Sequence, residues 1–254
     1  MIVTSKRRRF LLSAKAIVFM FFTASPSYSN GQNAEKLSPP EANAVAEFEK
    51  LGGTYKDGTL NLSKTKVTDA GILPLNDLKK LRRLNLANTP VTDAGLVHLK
   101  GLTELKLLWL SNTKVTDAGL VHLKGLTKLD RLDLDGTTVT DAGMVHLKGQ
   151  EELLSLDLNS TKVTDAGLIH LKDLKQILAL NLGNTKVTDK GLVQLKVLAE
   201  LIALDLDNTE VTDAGLTHLK HLTNLERLIL KNTKVTDKGI SDLKEVLPTV
   251  EIVR

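Results

Sequence analysis

The pentapeptide Val-Thr-Asp-Ala-Gly, or its variant Val-Thr-Asp-Lys-Gly, returns at a fixed interval of 24 residues. It occupies residues 67–71, 91–95, 115–119, 139–143, 163–167, 187–191, 211–215 and 235–239, and no insertion breaks the series. A fixed period of this length marks a solenoid, in which each unit touches only its neighbours and cannot bury its own apolar face. Stacking the units joins those faces into one continuous core.

Each unit reads Leu-x-x-Leu-x-Leu-x-x-Thr-x-Val-Thr-Asp-x-Gly-Leu-x-x-Leu. In the second unit these are Leu81, Leu84, Leu86, Thr89, Val91, Leu96 and Leu99. Leu84-Asn85-Leu86 alternates in the two-residue period of a strand with one buried face. Leu96, Leu99 and Leu102 follow at near-helical spacing, so each unit is strand, turn, short helix and return. Thr92 is placed as the helix N-cap, with Val91 and Leu96 spaced as a hydrophobic staple. Asp93 in the first turn and Lys100 near the last complement the helix dipole. Gly101, Gly125 and Gly149 suit the position after the helix. Gly95 and its equivalents fall inside the helix, which is unfavourable, so neighbouring backbones are expected to approach too closely for a Cβ. The expected fold is an α/β solenoid, a right-handed superhelix with a parallel sheet on the concave side and short helices on the convex side.

The expected organisation is a signal peptide (1–29), a polar spacer (30–37), an N-terminal capping helix (38–53), eight repeats (54–247) and a C-terminal capping strand (248–254). The leader begins Lys6-Arg7-Arg8-Arg9, continues in an apolar run from Ala16 to Thr23, and offers Ser27-Tyr28-Ser29 for cleavage before Asn30. That run is too short to span a bilayer of ~30 Å as a helix. Arg7-Arg8-Arg9-Phe10-Leu11 also fits a twin-arginine signal, so the route of export stays open between that and the general one. Export implies the periplasm, cell envelope or extracellular space, with no integral membrane span after cleavage. The capping helix shows capping-box spacing from Ser38 to Glu41 and an apolar face of Val45, Phe48 and Leu51. Val250 or Ile252 is expected to point inward at the far end, a thin cover compatible with a monomer or a weak end-to-end dimer.

Charge and composition remove several function classes. The net charge is +4, but five of the 34 basic residues and no acid lie in residues 1–29. The rest carries 29 basic against 30 acidic residues, a charge of −1. The basic balance therefore belongs to the leader and does not argue for nucleic-acid binding. The sequence has no cysteine, which excludes disulfides, thiolate nucleophiles and thiolate metal sites. Neither a nucleophile elbow, a Gly-rich phosphate loop nor a His-Glu-x-x-His motif occurs, and no cofactor, metal or catalytic activity is expected.

The repeat is similar to that of the leucine-rich-repeat superfamily over about residues 54–253. Its Thr89-type position, where most such repeats carry Asn, followed by Val-Thr-Asp-Ala-Gly-Leu, resembles two groups. One is exported bacterial repeat proteins of the planctomycete type, whose capping helix also resembles Glu49-Lys50-Leu51-Gly52-Gly53. The other is the repeat portion of F-box/leucine-rich-repeat proteins. An F-box would need a further segment ahead of the repeats, so a ubiquitin-ligase adaptor is disfavoured. The resemblance implies the fold and a binding role, and supplies no ligand.

Most side-chain columns recur because the unit recurs. The Thr column (Thr65 to Thr233) should satisfy loop backbone groups, and Asn88, Asn112, Asn184, Asn208 and Asn232 suit left-handed turn positions. His98, His122, His146, His170 and His218 sit on separate helices, too far apart for joint metal ligation. The Lys column is balanced by the Asp column. Information about function lies where the repeats differ, at the strand positions facing the concave side. The central position reads Asn61, Asn85, Trp109, Asp133, Asp157, Asn181, Asp205 and Ile229, and two residues on stand Asp135, Asn159 and Asp207. At a strand spacing of about 4.7–4.9 Å, Asp133 and Asp157 are neighbouring like charges, which is unfavourable without compensation. One reading is an acidic strip for a basic segment of a protein or peptide, or for a cation. The other is a solvated polar face partly neutralised by Arg131. Trp109, at an outward position beside Leu107, is either a separate binding anchor or a ring lying flat over Asn85 and Asp133. The expected site residues are Trp109, Arg131, Asp133, Asp135, Asp157, Asn159, Asp205 and Asp207. The expected function is an exported protein-binding module, with a structural, self-assembling envelope protein as the alternative.

Overall fold

The computed structural model describes residues 37–254; the expected signal peptide and all but the last residue of the spacer lie outside the described residues. The chain starts with helix α1 (Pro39–Lys50), closed at its N-terminus by Ser38 and Glu41. The Ser38 backbone N–H donates to Glu41 Oε2 at 2.7 Å, and its hydroxyl donates to the same oxygen. Both bonds hold the Glu41 carboxyl below its ordinary range. Ala44, Val45 and Phe48 face the core, whereas Leu51, placed by sequence on the same face, is exposed beyond the end of the helix.

Ten strands form one sheet in chain order. They are β1 (Thr54–Lys56), β2 (Thr59–Asn61), β3 (Arg83–Asn85), β4 (Leu107–Trp109), β5 (Arg131–Asp133), β6 (Ser155–Asp157), β7 (Ala179–Asn181), β8 (Ala203–Asp205), β9 (Arg227–Ile229) and β10 (Glu251–Val253). β1 turns back antiparallel onto β2 through Asp57 and Gly58, both at positive φ, and every later pairing is parallel. The register advances by one repeat per strand, so Leu60, Leu84, Leu108 and their successors form a single buried row. This is the expected α/β solenoid.

The connections are shorter than a regular helix. Single α-turns α2 (Asp93–Leu96), α3 (Asp117–Leu120), α4 (Asp141–Met144) and α5 (Asp189–Leu192) each run into a 3₁₀ segment, and two repeats use 3₁₀ geometry alone, at Ala70–Asp77 and Gly167–Asp173. Only the last two, α6 (Asp213–Leu219) and α7 (Asp237–Lys244), extend as α-helix. Thr92 caps α2 by accepting from the Ala94 backbone N–H, as its position suggested. Of the three glycines assigned to the helix end, Gly149 alone has a positive φ, of 93°. It follows an extended Lys148 and leads into Gln150, a buried polar side chain within a column of leucines. The Gln150 amide donates to the Leu123 carbonyl at 2.8 Å.

The Asp column has a role that the sequence reading missed. The Asp69 carboxylate reaches the next repeat, accepting from the Thr92 backbone N–H at 2.8 Å and its hydroxyl at 2.7 Å. Asp93 does the same with Thr116, Asp117 with Thr140, and Asp141 with Thr164. The series runs on to Asp213 and Thr236. At its end, Arg254 replaces the missing threonine and pairs with Asp237. These carboxylates therefore bracket successive repeats, rather than serving mainly the helix dipole or the Lys column. The bracket also explains the in-helix glycine. A Cβ on Gly95 would lie 2.5 Å from Asp69 Oδ1 and 2.9 Å from Ile72 Cδ1. The crowding comes from a carboxylate and an aliphatic side chain, not from a neighbouring backbone.

Candidate binding face

Three residues per strand fix the sheet face: the outer two point away from the core and the middle leucine into it. The central-position column is in register from Asn85 through Trp109, Asp133, Asp157, Asn181 and Asp205. The structure corrects the expectation that this column is a solvated strip. Asn85, Asp133, Asp157 and Asn181 are buried, Asp157 to 6% exposure. Their Oδ1 atoms accept the backbone N–H two residues on, at 3.0 Å for Ala87, 3.1 Å for Asp135, 3.0 Å for Asn159 and 2.9 Å for Gly183. Asp205 does the same for Asp207 at 2.8 Å. An Asn and an Asp do this equally well, since both offer the accepting oxygen. Where the column carries Asn or Asp it closes the strand into its turn, and that geometry explains why an Asx side chain recurs; Trp109 and Ile229 stand in its place in two strands.

The turn that follows relies on the Thr and Asn columns, both as expected. Thr89, Thr113, Thr137 and their equivalents donate to the leucine carbonyl three residues back at 2.6–2.8 Å. Asn88, Asn112, Asn184, Asn208 and Asn232 all adopt positive φ, where an L side chain other than Asn or Asp is disfavoured.

Using Asp instead of Asn at Asp133 and Asp157 carries an electrostatic cost. Burial, then the neighbouring Asp133 charge, pushes the Asp157 carboxyl up to about 7. Burial raises the Asp133 and Asp205 carboxyls as well. The compensating cation is Arg131, itself buried, which lies beside both carboxylates. Its guanidinium also sits over the Trp109 ring, 5.8 Å from the centroid, a cation–π distance. Trp109 is half-exposed between the buried Asn85 and Asp133, next to a half-exposed Leu107. Trp109, Arg131, Asp133 and Asp157 thus form one contiguous cluster. Asp135 and Asn159 stand on its rim, tied by an Asn159 amide donating to Asp135 at 2.6 Å. Asp205 and Asp207 lie beyond it, across Asn181 and Gly183, and do not join it.

One feature of this face escaped the sequence reading. Two residues before the central position the strands read Arg131, Ser155, Ala179, Ala203 and Arg227 in register. Three small residues thus stand between two arginines across β6 to β8, with Ala179 and Ala203 buried and Leu154 and Leu178 partly exposed beside them. The signal was legible, because the same rule that selects the central column selects this one. The histidines are half-buried on the opposite face, and among the described residues no group of His, Cys, Asp or Glu is placed to hold a metal.

One family model and one solved structure agree with this architecture. The family model described as Leucine Rich repeat matches residues 77–99, 153–172 and 221–244. The crystal structure of internalin C2 from Listeria monocytogenes is similar over 85% of this chain and 93% of its own, at 29% identity and a TM-score of 0.62. An internalin F structure from the same organism aligns at 21% identity over 76% of this chain and 72% of its own, with a TM-score of 0.44. A leucine-rich-repeat protein of Leptospira interrogans aligns at 18% identity over 77% and 59%, with a TM-score of 0.47. No curated protein matches the sequence.

Proposed function

The chain is a leucine-rich-repeat protein, and on that premise we propose that it is an exported, non-catalytic interaction scaffold that grips a protein or peptide on its sheet face. Such folds present a long, rigid, varied surface without the convergent acid, base and nucleophile that catalysis needs. Export rests on the basic and apolar leader, and among the described residues no helix is long and apolar enough to cross a membrane.

The observation that carries the reading is Trp109. It is the single tryptophan of the sequence, half-exposed on a face where its register neighbours are buried, and stacked by a buried arginine. A large, pre-positioned aromatic among well-packed groups is the usual anchor of a protein interface. Asp135 on the rim of the cluster, and Asp207 farther along the face, favour a partner segment that carries positive charge. Asp133 and Asp157 contribute through the field of the face rather than by direct contact, because both are buried and one oxygen of each already serves the backbone.

Affinity capture from an envelope fraction tests this. Trp109→Ala should weaken capture at least about 30-fold, the size expected of a hot-spot anchor worth ~2 kcal/mol. Asp207→Asn should weaken it less, mainly at low salt. Undiminished capture by a folded Trp109→Ala variant would remove the sheet face from the proposal.

A further inference from the structure

The opposite face carries a surface that the sheet-face reading does not use. Leu73, Val97, Val121, Val145, Ile169 and Val193 occupy one position of six consecutive repeats, and each is 39–54% exposed. The column then changes to Thr217 and Ser241, in the two repeats whose connections are the most regular α-helices. The fold therefore does not require an aliphatic side chain there. An alanine three residues earlier, exposed in each of the first five repeats, widens the stripe until Lys190 ends it. A contiguous apolar stripe with a polar border marks an interaction surface.

The charges beside the stripe indicate what covers it. From α2 onward each short helix lies across the stripe, with Asp at its start and Lys seven residues later. At 1.5 Å per residue these stand roughly 10 Å apart on opposite sides of the aliphatic row. One border is thus a row of exposed lysines from Lys100 to Lys196, and the other a row of half-exposed carboxylates from Asp69 to Asp165. Each carboxylate accepts two hydrogen bonds from the next threonine, one at each oxygen, and stays half-exposed with acceptor capacity to spare.

We infer that this helical face docks a second copy of the same chain, about a twofold axis parallel to the stripe. That axis lays aliphatic row on aliphatic row with the repeats running in the same direction. It also brings the lysine border of each copy over the carboxylate border of the other, twice. An isologous contact requires this kind of self-complementarity. An anionic lipid surface would suit the lysines but would be repelled by the carboxylate row. A recess of about 670 Å³ beside Val145, among Lys124, Lys148 and Lys172, lies on the same face and gives room for a partner's side chain.

Light scattering of the whole chain across a concentration series tests the inference. The expected mass rises from one chain toward two as concentration increases. The double variant Val121→Glu with Val145→Glu alters only exposed side chains, so it should keep its melting curve and remain monomeric. Lys124→Glu with Lys148→Glu should raise the dimer dissociation constant at least tenfold. A chain that stays monomeric throughout would overturn the inference. So would a dimer that survives the glutamate pair, which would place self-association at the ends of the solenoid. Binding to anionic vesicles by a chain that never dimerises would also overturn it, in favour of a lipid surface.

Discussion

Asp117→Ala should lower the stability of the array by about 2–4 kcal/mol, read from urea or thermal unfolding, because it deletes both bonds of one inter-repeat bracket. The carboxylate accepts the Thr140 backbone N–H and hydroxyl, each at 2.7 Å. Hydrogen bonds to a charged group are worth roughly 1.5–3 kcal/mol each, and the half-exposed setting trims the sum because water replaces part of what is lost. The Thr140 hydroxyl also caps α4 through the Ala142 N–H, so the loosened threonine weakens the helix start as well. Asp117→Asn keeps one acceptor oxygen and should cost less. The same change at Asp237, whose partner is Arg254 at the end of the series, should cost little. Equal losses at Asp117 and Asp237 would show that the column acts on its own helix and not across the repeat boundary.

Asp157→Asn should act in the opposite direction. The folded-state carboxyl is pushed up to about 7, above the ordinary 3.8. Between these values the folded chain binds more protons than the unfolded one, so stability falls as pH rises. The favourable contribution is complete below about pH 4, erodes through the window, and is gone above about pH 7. Asparagine keeps the oxygen that accepts from Asn159 and removes the charge, as Asn85 and Asn181 already do in the same column. The variant should therefore be more stable at pH 8 by on the order of 2–4 kcal/mol, from a shift of about three units. That corresponds to roughly 5–10 °C in melting temperature for a chain of this size. At pH 4 the two proteins should melt together. If the buried pair exists for partner binding, the stabilised variant should also capture less partner, the usual exchange of stability for function.

Much of this was legible in the sequence, and the gaps have physical causes. Leu84 and Leu86 set the strand, Thr92 the cap and Asn88 the left-handed turn, because each is decided within one repeat by local backbone chemistry. The partner of Asp69 was not legible, because it lies 23 residues away and becomes a neighbour only after stacking. The same holds for Gly95: sequence showed that a Cβ is excluded, and only the packed array showed that Asp69 and Ile72 exclude it. At the sheet face, the pleat placed Trp109 and Asp133 on one surface correctly. It could not show that Asp133 would turn its oxygen back onto Asp135 and become buried. That contact depends on the side-chain torsion, and it turns one oxygen of each buried carboxylate back onto the backbone. Trp109 stands half-exposed on that face, as its outward strand position suggested, and Ser155, Ala179 and Ala203 lie farther along it.

A partner bound as proposed covers the sheet face at Trp109. Being the only tryptophan, Trp109 reports this directly through its own fluorescence. Acrylamide quenching should be measured on the free chain and on the chain saturated with a captured partner fragment that lacks tryptophan. Quenching should be appreciable when the chain is free, since the ring is half-exposed, and the quenching constant several-fold lower when it is bound. An unchanged quenching constant at saturation would place the partner elsewhere on the molecule and remove Trp109 from the interface.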